Sequence, residues 1–404
     1  MYRPLFAILL IAALALPTFA QEATTELEAN LTEECVTEYD ASVDYFPEKV
    51  EITEAENLTV TYFNNYKHVT VADAFFDAPV FDYVLVQCGT PAPDAEDFPE
   101  GTQFIEVPTG NLISLTTTEL PFVTELGLLD HLVGVDSIMF VSTPEVIERY
   151  DEGEIVEVGS GSTINLEQVL NTDPDLVITN GYNPDTDAHP VLLEAGIFTA
   201  LLAEYREATP LGQAEWIKYT ALFYNEEARA NEVYDEVTAS YNEARELAAS
   251  VPEDERPTVL WNALSTYDNT WSIPGAETFP GHLIQDAGGQ IAMGEEAQSD
   301  SAYLGFEAVY EGALEADVWI ANLFGINTLD EVLAIDPRYA DFAPVINGNT
   351  WNNDLDTNIN GGNNYYELGV IHPDLVLKDL VAIFHPDLMP DHEFTFYRQI
   401  PAGE

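Results

Sequence analysis

Glu226-Glu-Ala-Arg-Ala-Asn-Glu-Val-Tyr-Asp-Glu-Val-Thr-Ala-Ser-Tyr-Asn-Glu-Ala-Arg-Glu-Leu-Ala-Ala249 carries helical periodicity from end to end. About 24 residues in one helix would run roughly 36 Å, longer than most helices inside a single domain. A second helical stretch, Glu215 to Tyr224, precedes it, with Asn225 as a weak break. Val251-Pro252 and the charged run up to Pro257 end it. On both sides of this rod the pattern is strands alternating with helices. Before it come strands at Leu112–Leu115, Val133–Val135, Leu176–Thr179 and Phe198–Leu202, with helices at Glu119–Leu129, Leu166–Leu170 and His189–Ala195, the last stopped by Gly196. After it come strands at Thr258–Trp261 and Val318–Ala321, and helices at Phe279–Ala287 and Asp374–Phe384. Alternation of this kind predicts a parallel sheet covered by helices on each side of the rod.

An internal echo supports two like halves. Asn165-Leu-Glu-Gln-Val-Leu-Asn-Thr-Asp-Pro-Asp-Leu-Val-Ile-Thr-Asn180 is matched by Gly305-Phe-Glu-Ala-Val-Tyr-Glu-Gly-Ala-Leu-Glu-Ala-Asp-Val-Trp-Ile-Ala-Asn322. Each copy has a Glu near a helix start (Glu167, Glu307), a short helix, an Asp, a buried strand and an Asn at the strand's end.

The N-terminal third reads differently. Arg3, the apolar run Leu5–Leu16, Pro17 and the small residues before Gln21 predict an export signal cleaved after Ala20. The run is too short to span a bilayer. Residues 21–45 are acidic and weakly patterned, with a mobile start. Residues 50–88 read as extended, with Leu58–Phe63 and Tyr83–Gln87 rich in strand formers and Asn64-Asn65 as a turn. Pro91, Pro93, Pro99 and Gly101 mark a linker. The expected organisation is therefore a signal at 1–20, an acidic β-rich extension at 21–102, one lobe at 103–211, the helical segment at 212–250 and a second lobe at 251–404. Cys35 and Cys88, an even pair in an exported chain, read as a disulfide worth roughly 4 kcal/mol if unstrained.

Composition narrows the function. The 404 residues include 12 Lys+Arg against 72 Asp+Glu, a net charge of −60. No basic cluster exists to hold phosphates, so the charge disfavours nucleic acid and anionic membrane as partners. Hydrophobic residues at 46 % are enough for a sizeable core. The acidity reads as a solvated surface. There is no nucleophile elbow, phosphate loop, dinucleotide fingerprint, C-x-x-C or H-E-x-x-H. The seven His are scattered, and His372, His385 and His392 sit in loop-like contexts without converging ligands. Neither a catalytic centre nor a resident metal or cofactor is expected.

In open parallel sheets ligands sit beyond the carboxyl ends of the strands. Those ends supply Thr117, Thr118, Tyr182, Tyr205 and Arg206 in the first half, and Trp261, Tyr267, Trp271, Phe324 and Trp351 in the second. Aromatics and amides together suit a large ligand with flat apolar parts and polar edges. Arg206 has two readings: a partner for an anionic ligand group, or the neutraliser of a neighbouring carboxylate.

The order of segments resembles the periplasmic-type substrate-binding proteins of ABC importers for ferric siderophores, haem and cobalamin. The pieces that carry it are Ile113-Ser-Leu-Thr-Thr-Thr-Glu-Leu120, Leu126-Gly127, Leu132-Val-Gly-Val135, Asn165–Leu170, Pro174–Ile178, Leu192-Leu-Glu-Ala-Gly196, Trp271-Ser-Ile-Pro-Gly275, Leu283–Gly289, Phe306–Val309 and His385-Pro-Asp-Leu388. The resemblance covers roughly residues 103–400. It implies two Rossmann-like α/β lobes joined by one bridging helix, a ligand between them, and small closure. It also implies a monomeric, non-enzymatic receptor delivering an iron complex or corrinoid to a membrane permease, with Glu167 and Glu307 docking on that permease. A receptor for a free metal ion or another solute on the same scaffold is the alternative, and an oxidoreductase component a third. The long extension and the missing lipid-attachment Cys depart from the family pattern, and the resemblance assigns no pocket residue.

Overall fold

A computed structural model describes residues 27–265, 267–294 and 299–402. The export signal and its cleavage point lie outside the described residues.

Four strands, β1 (Leu58–Tyr62), β2 (Tyr66–Val71), β3 (Phe81–Gln87) and β4 (Gln103–Val107), form the first sheet in sequential order. The first two pairings are antiparallel and the last is parallel. The Pro/Gly-rich stretch 91–101 is the β3–β4 crossover rather than a domain linker, so the extension's sheet runs past residue 102. Sequence reading missed this because prolines mark loops without saying what they join. Cys35 and Cys88 are disulfide-bonded.

The first lobe contains β5 (Leu112–Ser114), β6 (Leu132–Val135), β7 (Val156–Glu157), β8 (Leu176–Asn180) and β9 (Thr199–Leu202), all parallel, in the order β7-β6-β5-β8-β9. β5 and β9 are buried throughout, as parallel strands covered on both faces must be. The second lobe contains β10 (Thr258–Trp261), β11 (Trp271–Ile273), β12 (Gln290–Ile291), β13 (Ala302–Leu304), β14 (Val318–Ile320), β15 (Thr350–Asn352) and β16 (Arg398–Gln399). Its main sheet runs β12-β10-β14-β15-β16, parallel except for β16 at the edge, and β11 pairs with β13 separately.

The helix Glu227–Ala249 joins the lobes. Ala230, Val233, Tyr234 and Val237 belong to the core shared by the extension and the first lobe, whereas Tyr241, Ala244 and Ala248 belong to the second lobe's core. Asn225, in the left-handed conformation at φ 60°, ends the preceding helix and turns the chain into it.

The extension packs into the first lobe's core, with Phe46, Val69, Tyr83 and Ile105 beside Leu112 and Phe122. From Asn30 onward the acidic segment is anchored: Asn30 is buried and bonds Glu48 and Glu227. Carboxylates of the lobe cap its backbone. Glu215 accepts the N–H groups of Thr53, Glu54 and Ala55, and Glu207 accepts those of Glu56 and Asn57. Lys67 on β2 reaches the start of the bridging helix and pairs with Glu227 at 2.7 Å, both side chains fully buried.

The lobes also touch beside the rod. The Glu367 carboxylate accepts the backbone N–H groups of Ser142 (2.8 Å) and Thr143 (2.7 Å). Asn358 donates to the carbonyls of Met139 and Val141 at 3.1 and 3.0 Å. His372 lies 3.4 Å from both Glu125 of the first lobe and its own lobe's Asp374. Burial alone would push its pKa down, but the hydrogen bonds and charges of Asp374 and Glu125 outweigh this and raise it from 6.5 to about 9.

Removing one partner of a buried ion pair leaves an uncompensated charge, so Lys67→Met should destabilise the protein by about 3 kcal/mol or more. Lys67→Met with Glu227→Leu should recover much of that loss in urea unfolding. A single-variant loss near zero would contradict this account of the pair. A His with a raised folded pKa contributes stability that is present below pH 6.5 and lost as pH rises through about 9. Unfolding free energy should therefore fall by roughly 3 kcal/mol over that window, and His372→Gln should flatten the decline. Identical pH profiles for the two proteins would show that the Glu125–His372–Asp374 contact is unimportant.

Candidate functional site

The carboxyl ends of strands from both lobes face one cavity of about 340 Å³. Thr118 follows β5, and Glu204 and Tyr205 follow β9. On the other side Trp261 and Asn262 end β10, Asn322 follows β14 and Asn353 follows β15. Phe279, Tyr365, Tyr366 and Val370 complete the apolar wall. A larger cavity, about 700 Å³, lies beside the disulfide, among Cys88, Pro174, Gly196 and Phe198. It is at the amino ends of β8 and β9 and touches only the extension and the first lobe, so the strand-end cleft is the better candidate despite its smaller volume.

Local backbone needs explain the amides. Asn262 and Asn322 have φ of 62° and 48°, a left-handed conformation that Asn tolerates better than most residues. Their strands are neighbours, and Asn322 Nδ2 donates to Asn262 Oδ1 at 3.1 Å. The Asn322 Oδ1 is buried and has no partner among the described residues. Asn352 closes the adjoining turn by accepting the Leu323 N–H and donating to the Leu323 carbonyl, both at 2.7 Å. Asn353 donates to the Tyr366 hydroxyl at 3.2 Å.

On the opposite wall Glu204 is 1 % exposed. It accepts from Thr118 Oγ1 at 2.6 Å and from Asn180 Nδ2 at 3.2 Å. Burial pushes its pKa up, against the hydrogen bonds of Thr118 and Asn180. Glu119, buried close behind, is pushed up to about 8, chiefly by burial, with the charge of Glu204 adding to it. The Tyr205 hydroxyl lies 3.0 Å from the Ala74 carbonyl, so the extension buttresses a cleft residue. Burial pushes that hydroxyl's pKa up to about 12, so it stays a hydrogen-bond donor at neutral pH.

Of the ten expected lining residues, the structure brings Thr118, Tyr205 and Trp261 to the cleft. Thr117 and Tyr182 line an adjoining depression of the first lobe. Phe324 lines one on the second lobe, which shares Asn322, Asn353 and Tyr366 with the cleft. Four expectations are corrected. Arg206 neutralises Asp73 of the extension at 2.6 Å. Trp271 is fully buried, donates to the Trp261 carbonyl and packs among Trp319, Tyr339 and Phe342. Tyr267 is 97 % exposed on a turn and does not line the cleft. Trp351 packs on Phe394 in a separate cavity, because strand alternation turns it away from the strand-end residues. The three lining Asn, Asn262, Asn322 and Asn353, are at strand ends but are not among the expected lining residues. Tyr365 and Tyr366, in an Asn/Gly-rich loop, gave no strand signal that could have placed them.

Glu167 and Glu307 both stand exposed in the first turn of short helices, Leu166–Asn171 and Phe306–Ala313. They are not equivalent. Glu307 pairs with Arg338 at 3.2 Å, and that guanidinium lies 3.8 Å over the Phe306 ring. Glu167 makes no ion pair among the described residues. His372, His385 and His392 face three different partners, Glu125, the Gly288 carbonyl and Asp379. Among the described residues no group of three or more His, Cys, Asp or Glu converges as metal ligands would.

Two lipoproteins of Methanocaldococcus jannaschii, both themselves uncharacterised, are 25 % and 26 % identical to this chain. They match over 79 % and 80 % of it, and over 80 % and 77 % of their own lengths. The fold is also similar to solved structures. One is a periplasmic haem-binding protein of Roseiflexus, with TM-score 0.51, 22 % identity, and coverage of 70 % of this chain and all of that one. Another is a possible iron-binding periplasmic solute-binding protein of Staphylococcus epidermidis, with TM-score 0.54, 15 % identity, and coverage of 69 % and 99 %. A family model described as periplasmic binding protein matches residues 112–351, more than half of the chain, with residues from both walls of the cleft. This chain belongs to the periplasmic binding protein family.

Proposed function

We propose that this protein is the extracytoplasmic receptor of an ABC importer and holds an iron complex in the cleft between its lobes. The single observation that carries the reading is the cavity built from strand ends of both lobes. A ligand there bridges two bodies that one helix holds apart, so binding is converted into a small change of lobe geometry. The solved relatives include proteins described as haem-binding and as possibly iron-binding, which supports the iron-complex class.

Glu167 and Glu307 are the proposed docking anchors, one on each lobe. Exposed carboxylates can meet arginines of a permease and report the lobes' relative position. Glu307 would exchange Arg338 for a permease arginine, and Arg338 would keep Asp336 at 2.6 Å. The disengaged partner therefore does not lose its counter-charge.

Trp261 is 3 % exposed and lines the cleft, so ligand contact should alter tryptophan emission. Titration of the protein with ferric siderophores, haem, cobalamin and bare ferric ion should give saturable quenching with at least one iron complex. Absence of any response across that panel would contradict the reading. Glu167→Ala with Glu307→Ala should leave that affinity unchanged and abolish uptake in cells that depend on this receptor. Undiminished uptake would remove the docking assignment and leave the receptor reading standing.

A further inference from the structure

The cleft's charge selects among iron complexes. No Lys, Arg or His occurs among the described residues that line it. Cations on neighbouring segments are committed elsewhere: Arg206 to Asp73, Arg398, beside the adjoining depression, to Asp354, and His372 to Glu125 and Asp374. The acidic lining side chain is Glu204, with Thr118 and Asn180 as its partners and no cation among them. The Glu119 behind it has an unpartnered buried oxygen. Across the cleft the unpartnered Asn322 Oδ1 is a further acceptor. The walls therefore offer acceptors and aromatic faces, and lack counter-charges for an anion.

We propose that the cleft takes a ferric chelate of zero or positive charge with amide or ammonium N–H donors on its edge, and rejects anionic chelates. This inference rests on the iron-complex reading above. Burying an anion beside Glu204 would cost its hydration without a compensating charge. A donor edge instead meets Glu204 and the free Asn322 oxygen. The net charge of −60 also repels anions at a distance, but that field is screened by salt, whereas the contact inside the cleft is screened much less.

The test measures affinity for three probes at 0.15 and 1 M NaCl, about one Debye length of 8 Å against 3 Å. The probes are ferrioxamine B, a cationic trihydroxamate, ferrichrome, a neutral one, and ferric enterobactin, an anionic catecholate. The two hydroxamates should bind at least about 100-fold more tightly than the catecholate at both salt concentrations. Glu204→Gln should reduce the preference for the cationic over the neutral complex by about fivefold or more, and Asn322→Arg should strengthen catecholate binding about tenfold. Equal or tighter catecholate binding would overturn the inference while leaving the receptor reading intact. A preference that disappears at 1 M salt would also overturn it, since the surface field would then be the cause. Failure of all three chelates to bind the folded protein would overturn it as well, and the receptor reading would fall with it only if haem, cobalamin and bare ferric ion also failed to bind.

Discussion

One 23-residue helix belongs to two hydrophobic cores at once. Its first half is clamped in the core of the extension and first lobe, and its last half packs in the second lobe, against the helix Pro373–Phe384. A regular helix cannot bend sharply without breaking its hydrogen-bond ladder. A rod roughly 35 Å long, embedded in both cores, therefore fixes how the lobes sit relative to each other, and the strand ends of both sheets are held facing one gap. The Glu367 and Asn358 bridges add a second tie. Together they favour small closure over wide hinge motion.

The start of that rod explains why the extension matters. Lys67 comes from β2 and inserts its ammonium beside Glu227 and the Leu222 carbonyl, so the extension completes the helix's own origin. Glu207 and Glu215 hold the extension's backbone in the same region. In a chain with 12 Lys+Arg, nine of these cations sit in ion pairs among the described residues, and several of the pairs join distant elements: Lys67 with Glu227, Arg229 with Glu125, Arg206 with Asp73. The scarcity of positive charge and its structural use have one consequence at the cleft, which is lined without it.

Much of this architecture was legible because it rests on local periodicity. The rod at 226–249, the buried runs Leu176–Thr179 and Thr258–Trp261, and the Glu167/Glu307 echo each appear in the chain as pattern. The amide-rich strand ends were legible too, since they follow directly from where the strands stop. Other features depend on partners far away in sequence. Nothing local distinguishes Trp271, a core ring, from Trp261, a cleft ring, or shows that Arg206 is taken by Asp73, 133 residues earlier. The crossover from β3 to β4 hides behind prolines, and Tyr365 and Tyr366 reach the cleft only because Asn363 and Asn364 fold their loop back.

The central claim is that ligand is gripped by both lobes at the strand ends. Hydrogen–deuterium exchange with and without a bound ferric chelate tests it most directly. Protection should appear together around residues 117–119 and 204–206 on one lobe and around 322–325 and 353–370 on the other, with the rod at 227–249 unchanged. Protection confined to one lobe, or centred on residues 173–175 and 195–198 beside the disulfide, would contradict the account.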